Sequence, residues 1–340
     1  MKPIRRRHLM LLALLPALLG AAGCGDSDEG ATAASPGTPT DTVKVAYISP
    51  LPKPYGIEAW GAQRGLFAEP LARAGIGKVE FVRFTTGPDA GAAQASGAID
   101  VAIVGDVAGV STKVSGIDTK LVSVPGINLD AWLLTRADGP GTVQELAGKK
   151  VATVKGSYMD KYLTALLEKE HLTGKVKLVN LVPANAIAAL VSKNIDAYAG
   201  PPFYPTEALD KAGLRIIDRA LDHQGLGGIT TTTVRSEFAE QHPGFAKAWN
   251  EAVVAARADA LGNADAFYEA QADANEIGVD QATRIFDIAK TVPEDQLAAQ
   301  NVEDIQATAQ FLVDNGLQRQ LADVSSWILD PRAHGTGAGS

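Results

Sequence analysis

A strand–helix–strand–helix–strand series occurs twice in this chain, element for element. The first series reads "TVKVAYIS" (42–49) as a strand, "IEAWGAQRGLF" (57–67) as an amphipathic helix and "VEFVRF" (79–84) as a strand. A helix "PDAGAAQAS" (88–96) and a strand "VAIV" (101–104) complete it. The second series runs through "KVATVK" from Lys150, "YMDKYLTALLEKE" (158–170), "VKLVNL" (176–181), "ANAIAALVS" (184–192) and "DAYA" (196–199) in the same roles. Both third strands are entered through Ile-Asp, at Ile99-Asp100 and Ile195-Asp196, and Val79 falls opposite Val176. Strands alternating with helices form parallel sheets covered on both faces and joined by right-handed crossovers. The expected fold is therefore α/β, with two similar Rossmann-like lobes. Ligands of such sheets gather beyond the carboxyl ends of the strands, so two lobes facing each other define a cleft.

The chain has 340 residues, 46% of them apolar, which is enough for a large core and two domains. Its formal charge is −8, and Lys2, Arg5, Arg6 and Arg7 all lie in the first 23 residues, which hold no acid. The body behind them is more acidic still and has no basic stripe, so nucleic-acid binding is excluded. "MKPIRRRH" followed by "LMLLALLPALLGAAG" reads as a targeting leader over 1–23, too short to span a membrane comfortably. It ends at Cys24, the one cysteine, in a stretch that resembles a bacterial lipobox, with Ala21 where Leu is usual. Lipidation of Cys24 would anchor the protein to the outer face of the membrane. Residues 24–41 are polar and rich in Gly, Ser, Thr and Pro, a flexible tether, and 326–340 read as a C-terminal tail.

Catalytic patterns are missing from the sequence. The five histidines, at 8, 171, 223, 242 and 334, have no metal-ligand spacing, and neither H-E-x-x-H, G-x-S-x-G nor a P-loop occurs. The reading is a non-enzyme with no cofactor and no metal.

Four stretches, "FTTGPDAGAAQASGAIDVAIVGD", "ELAGKKVATVKGSY", "LVPANAIAALVSKNIDAYA" and "QHPGFAKAWNEAVVAA", resemble in order the solute-binding proteins of ABC importers for nitrate, alkanesulfonates and taurine. The resemblance covers about 43–260. It implies the type II periplasmic-binding-protein fold, in which two hinge strands join the lobes. "AWLLTR" (131–136) and "ITTTTVR" (229–235) are the expected crossings. Lobe 1 would be 42–133 plus 232–325, and lobe 2 would be 134–231. The function implied is an extracytoplasmic, lipid-anchored, monomeric binding protein. It would capture a small organic anion, an aliphatic or aromatic sulfonate, and deliver it to an ABC permease and its ATPase. The alternatives are another small solute (nitrate, taurine, a thiamine-type pyrimidine or an aromatic compound), or a sensor that shows its closed form to a receptor.

Four strand-to-helix junctions would face the cleft. They supply Ser49 and Tyr55, then Thr86 and Gly87, then Gly105 and Asp106, then Gly156, Ser157 and Tyr158. Tyr204 is a further wall candidate. Helix N-termini carry unpaired N–H groups and partial positive charge, which suits an oxyanion without a buried Arg. Thr86, Gly105, Asp106, Gly156 and Ser157 are also supported by the resemblance. Against this, Ser157 and Asp106 could serve only as N-caps, contributing about 1 kcal/mol each to folding. Where the family commonly carries Trp-Asp-Pro-aromatic, this chain has "GPPFYP" (200–205), without the acid that suits a ligand amine. That departure argues against taurine and for a stiffer, more apolar wall.

Overall fold

The computed structural model describes residues 41–331. The leader, Cys24, the tether up to Thr40 and the residues after Pro331 lie outside the described residues. Ten strands are described: β1 (Asp41–Ile48), β2 (Ile76–Phe84), β3 (Val101–Gly105), β4 (Thr119–Leu129), β5 (Trp132–Arg136), β6 (Lys150–Thr153), β7 (Lys177–Asn180), β8 (Ala197–Gly200), β9 (Leu214–Arg219) and β10 (Gly228–Arg235). They form two five-stranded sheets, in the orders β2-β1-β3-β10-β4 and β7-β6-β8-β5-β9. The fold is α/β, and the two sheets share one topology.

In each sheet the three repeat strands run parallel, and one strand is antiparallel to them: β10 in the first and β5 in the second. Those are the strands the chain enters on crossing from the other sheet. The backbone changes sheet between Leu129 and Trp132, and again between Arg219 and Gly228. The strands Trp132–Arg136 and Gly228–Arg235 thus lie within sheets, and the crossings are the short segments just before them.

The repeated Ile-Asp has a shared physical purpose. The Lys44 N–H donates to Asp100 Oδ2 at 2.9 Å, while the Asp100 N–H donates to the Lys44 carbonyl at 2.9 Å. Lys150 and Asp196 repeat the exchange at 2.9 and 2.8 Å. Each aspartate also faces an arginine at the end of the antiparallel strand, Arg235 at 2.9 Å from Asp100 and Arg136 at 3.9 Å from Asp196. The turn therefore sets the register of the central strand twice.

The first sheet packs against the long helix Phe245–Gly262, whose Trp249 and Phe245 are fully buried with Phe67. Gly65, at φ +74, ends the helix expected over 57–67, which stops at Gln63 before a short second helix, Ala68–Ala72. Folding also continues past 325, where the sequence reading starts a tail. Trp327 is fully buried and Ile328 bridges to Leu121, because this apolar pair covers the edge strand β4.

Candidate functional site

A cavity of about 180 Å³ lies between the lobes, and all four strand-to-helix junctions contribute to its wall. Tyr55, Thr86, Gly87, Gly105, Ser157 and Tyr158 line it. Ser49, Asp106, Gly156 and Tyr204 do not.

The two hydroxyl candidates are N-caps. Thr86 precedes the helix Gly87–Ala95, accepts from the Asp89 N–H at 3.3 Å and donates to Asp89 Oδ2 at 2.5 Å. Ser157 precedes the helix Tyr158–Lys169, accepts from the Asp160 N–H at 3.3 Å and donates to the Val154 carbonyl at 2.6 Å. The Gly156 N–H donates in turn to Asp160 Oδ2 at 3.0 Å, and Gly156 sits at φ +77, where a side chain would be strained. Burial pushes the Asp160 carboxyl above its ordinary value despite that donor. The caps bring two helix starts, one from each lobe, to the same cavity.

The glycines act through close packing. A Cβ on Gly87 would come within 2.5 Å of the Ala108 Cβ, so glycine is what lets the helices Gly87–Ala95 and Asp106–Val114 touch. A Cβ on Gly228 would sit 2.5 Å from the Tyr158 ring, and one on Gly105 would sit 3.3 Å from it. Tyr158 thus lies flush on first-lobe backbone, and its hydroxyl donates to the Asp130 carbonyl at 3.2 Å.

The remaining candidates have other tasks. Ser49 is buried and accepts from the Leu51 N–H at 3.0 Å, which shapes the loop after β1. Tyr204 packs on Tyr198 behind the wall, and burial pushes its hydroxyl up to about 12. Asp106, expected at the ligand, turns away from the cavity: its Oδ2 takes Lys161 Nζ at 2.6 Å and the Thr308 hydroxyl at 2.7 Å.

Several wall groups escaped the sequence reading. Phe286 stacks on Phe203 with centroids 5.8 Å apart, and Tyr55 meets both edgewise at 5.9 and 5.3 Å. This cluster joins the lobes. Beside it, Gln281 Nε2 donates to the carbonyls of Pro202 at 3.0 Å and Tyr204 at 2.8 Å, and Gln281 Oε1 accepts from the Thr206 N–H at 3.3 Å. Phe286 and Gln281 come from short helices after the repeat, and no local pattern says that these return over the cleft.

The charged side chains on the wall are two carboxylates, Glu58 and Asp130; among the described residues no Lys, Arg or His lines it. Asp130 sits at the first crossing and accepts from the Ala131 N–H (3.0 Å), Trp132 Nε1 (2.8 Å) and, from the second crossing, the Leu221 N–H (3.2 Å). It pins the two crossings together, and burial raises its carboxyl in spite of these donors. Glu58 is 3% exposed, accepts from the Thr232 hydroxyl at 2.6 Å, and is pushed up to about 7 by burial. An acid in the first turn of a surface-looking helix gave no sign that it would point inward. Among the described residues, no group of three or more His, Cys, Asp or Glu could hold a metal ion, and no helix is long and apolar enough to cross a membrane.

Two five-stranded α/β lobes, pinned at paired crossings with a cavity between them, define the periplasmic-binding-protein fold. The alkanesulfonate-binding protein SsuA from Xanthomonas axonopodis pv. citri, bound to MOPS, shares it with a TM-score of 0.71 at 22% identity, over 86% of this chain and 99% of that one. The desulfurization enzyme DSZB shares it too, with a TM-score of 0.67 at 16% identity, over 85% of this chain and 96% of that one. Residues 60–266 match the NMT1/THI5-like family, and the chain belongs to that family. In sequence it is 28% identical over 200 residues to a Bacillus subtilis (strain 168) protein named for aliphatic sulfonates binding, a match covering 56% of this chain and 59% of that protein. It is also 28% identical over 192 residues to the taurine-binding periplasmic protein of Escherichia coli (strain K12), covering 55% of this chain and 59% of that protein. In both cases the match spans less than two thirds of the relative.

Proposed function

We propose that this protein is the exported solute-binding component of an ABC importer, and that it captures a small organic acid of the sulfonate type between its lobes. The observation that carries this reading is the meeting of two capped helix starts, at Thr86 and Ser157, from opposite lobes on one cavity. First-turn N–H groups and the helix dipoles hold an oxyanion, and contacts from both lobes favour the closed form. The Tyr55, Phe203 and Phe286 rings receive an alkyl or aryl body. The sulfonate- and taurine-binding relatives support this class of solute, and the MOPS-bound neighbour has the same fold.

The chain acts as a monomer, held at the outer face of the membrane by a lipid on Cys24, and hands its solute to the permease through the closed lobes. Its role is binding rather than catalysis, a reading that the sulfonate- and taurine-binding relatives support. The test is a thermal-shift panel on protein lacking its leader, refolded to strip carried-over ligand. A ligand at a hundred times its dissociation constant adds about 2.7 kcal/mol, a rise of a few degrees. Sulfonates should give that rise; a response to uncharged aromatics alone would discard the organic-acid reading.

A further inference from the structure

The cavity is an unusual container for an acid, because its two charged wall groups are themselves acidic. Asp130 is occupied: three donors from the crossings converge on its carboxylate. Glu58 differs. It is 3% exposed, and apart from its own backbone N–H its partner is the Thr232 hydroxyl on Oε1 at 2.6 Å. A carboxylate has about four acceptor positions, so capacity remains on a side chain that lines the cavity.

A structural role for Glu58 does not explain the choice of residue. The Thr232 hydroxyl would be satisfied equally well by the carbonyl of a glutamine, without placing a buried carboxyl on a largely apolar cavity wall. An ionised group in such surroundings costs several kcal/mol unless a donor reaches it. Among the described residues no cation lines the cavity, and a solute that carries an ammonium would supply the donor that an ionised Glu58 lacks.

We propose that Glu58 is the specificity-determining residue of the cavity, and that it selects organic acids that also carry an ammonium or another N–H donor over the same acids without one. The inference rests on the organic-acid reading above and narrows it. Helix starts hold the acidic group, the aromatic cluster holds the body, and Glu58 accepts from the donor. The missing acid in "GPPFYP" is then replaced from a different element, the first helix of the other lobe.

The test uses matched probes in calorimetric titrations of the exported protein at a pH of about 8, where Glu58 is ionised. The pairs are ethanesulfonate with 2-aminoethanesulfonate and benzenesulfonate with 4-(aminomethyl)benzenesulfonate; benzylamine supplies the donor without the acid. In at least one pair the aminated member should bind about tenfold more tightly or better. In Glu58→Gln that ratio should collapse towards one. Equal binding of both members by the unaltered protein overturns the assignment and leaves the organic-acid reading standing, with no variant needed. A preference that survives in Glu58→Gln also overturns it. Binding of benzylamine with no response to any sulfonate overturns the organic-acid reading instead, and no response to any probe overturns both.

Discussion

Lys161 Nζ lies 2.6 Å from Asp106 Oδ2, joining a second-lobe helix to a first-lobe helix in a place where both side chains are buried. The Thr308 hydroxyl donates to the same oxygen at 2.7 Å and accepts from Lys161 at 2.9 Å. Breaking such a pair leaves one charge buried alone, which costs about 3–5 kcal/mol. Lys161→Met should therefore lose stability on that scale in urea titrations. Adding Asp106→Asn should recover part of the loss, since the stranded charge is then gone. A loss below about 1 kcal/mol would show that water screens the pair as it does at a surface.

Gln281 makes three hydrogen bonds to the backbone of 202–206 from across the cleft. At about 1 kcal/mol net for each, they favour the closed arrangement by an amount that matters for affinity. Gln281→Ala should weaken solute binding about tenfold or more. Small-angle scattering should show the liganded variant to be more open than the parent.

The pH dependence of stability follows from Glu58. Its folded value, about 7, lies above the ordinary 4.5, so the folded state holds its proton more tightly than the unfolded chain does. The associated stability is complete below about 4.5 and is lost as pH rises through about 7, on the order of 3 kcal/mol in all. Asp130 and Asp160 are raised as well and act in the same direction. The contribution of Glu58 is then the difference between the parent and Glu58→Gln. Across that window the parent should lose more stability than the variant, as measured by denaturant midpoints at several pH values. Parallel curves would contradict the buried carboxyl.

Gly228 is the place where Tyr158 rests on the first lobe. A Cβ there meets three ring and Cβ atoms of Tyr158 between 2.5 and 2.9 Å away, so Gly228→Ala must displace the tyrosine. Overpacking of this kind costs about 1–3 kcal/mol. Solute affinity should fall with it, because Tyr158 lines the cavity. In a Tyr158→Ala background the same glycine change should be nearly neutral, and a double-mutant cycle on thermal stability reads that coupling.

The sequence by itself determined the two-lobed α/β plan and the helix starts at Thr86 and Ser157. Both follow from short-range chemistry: alternating apolar strands and helices, and Thr86 and Ser157 as caps within a few residues of their partners. Those interactions are written within one βα unit, so they can be read locally. The tertiary structure decided what each position does. Asp106 looks like a cap, and only the approach of Lys161 and Thr308 turns it away from the cavity. Glu58 looks like a surface acid until β10 brings Thr232 against it. Phe286 and Gln281 lie outside the repeat and reach the cleft only because the C-terminal helices fold back over it. Burial and the identity of a partner arise from residues far apart in sequence, and they set the charge and the shape of the cavity.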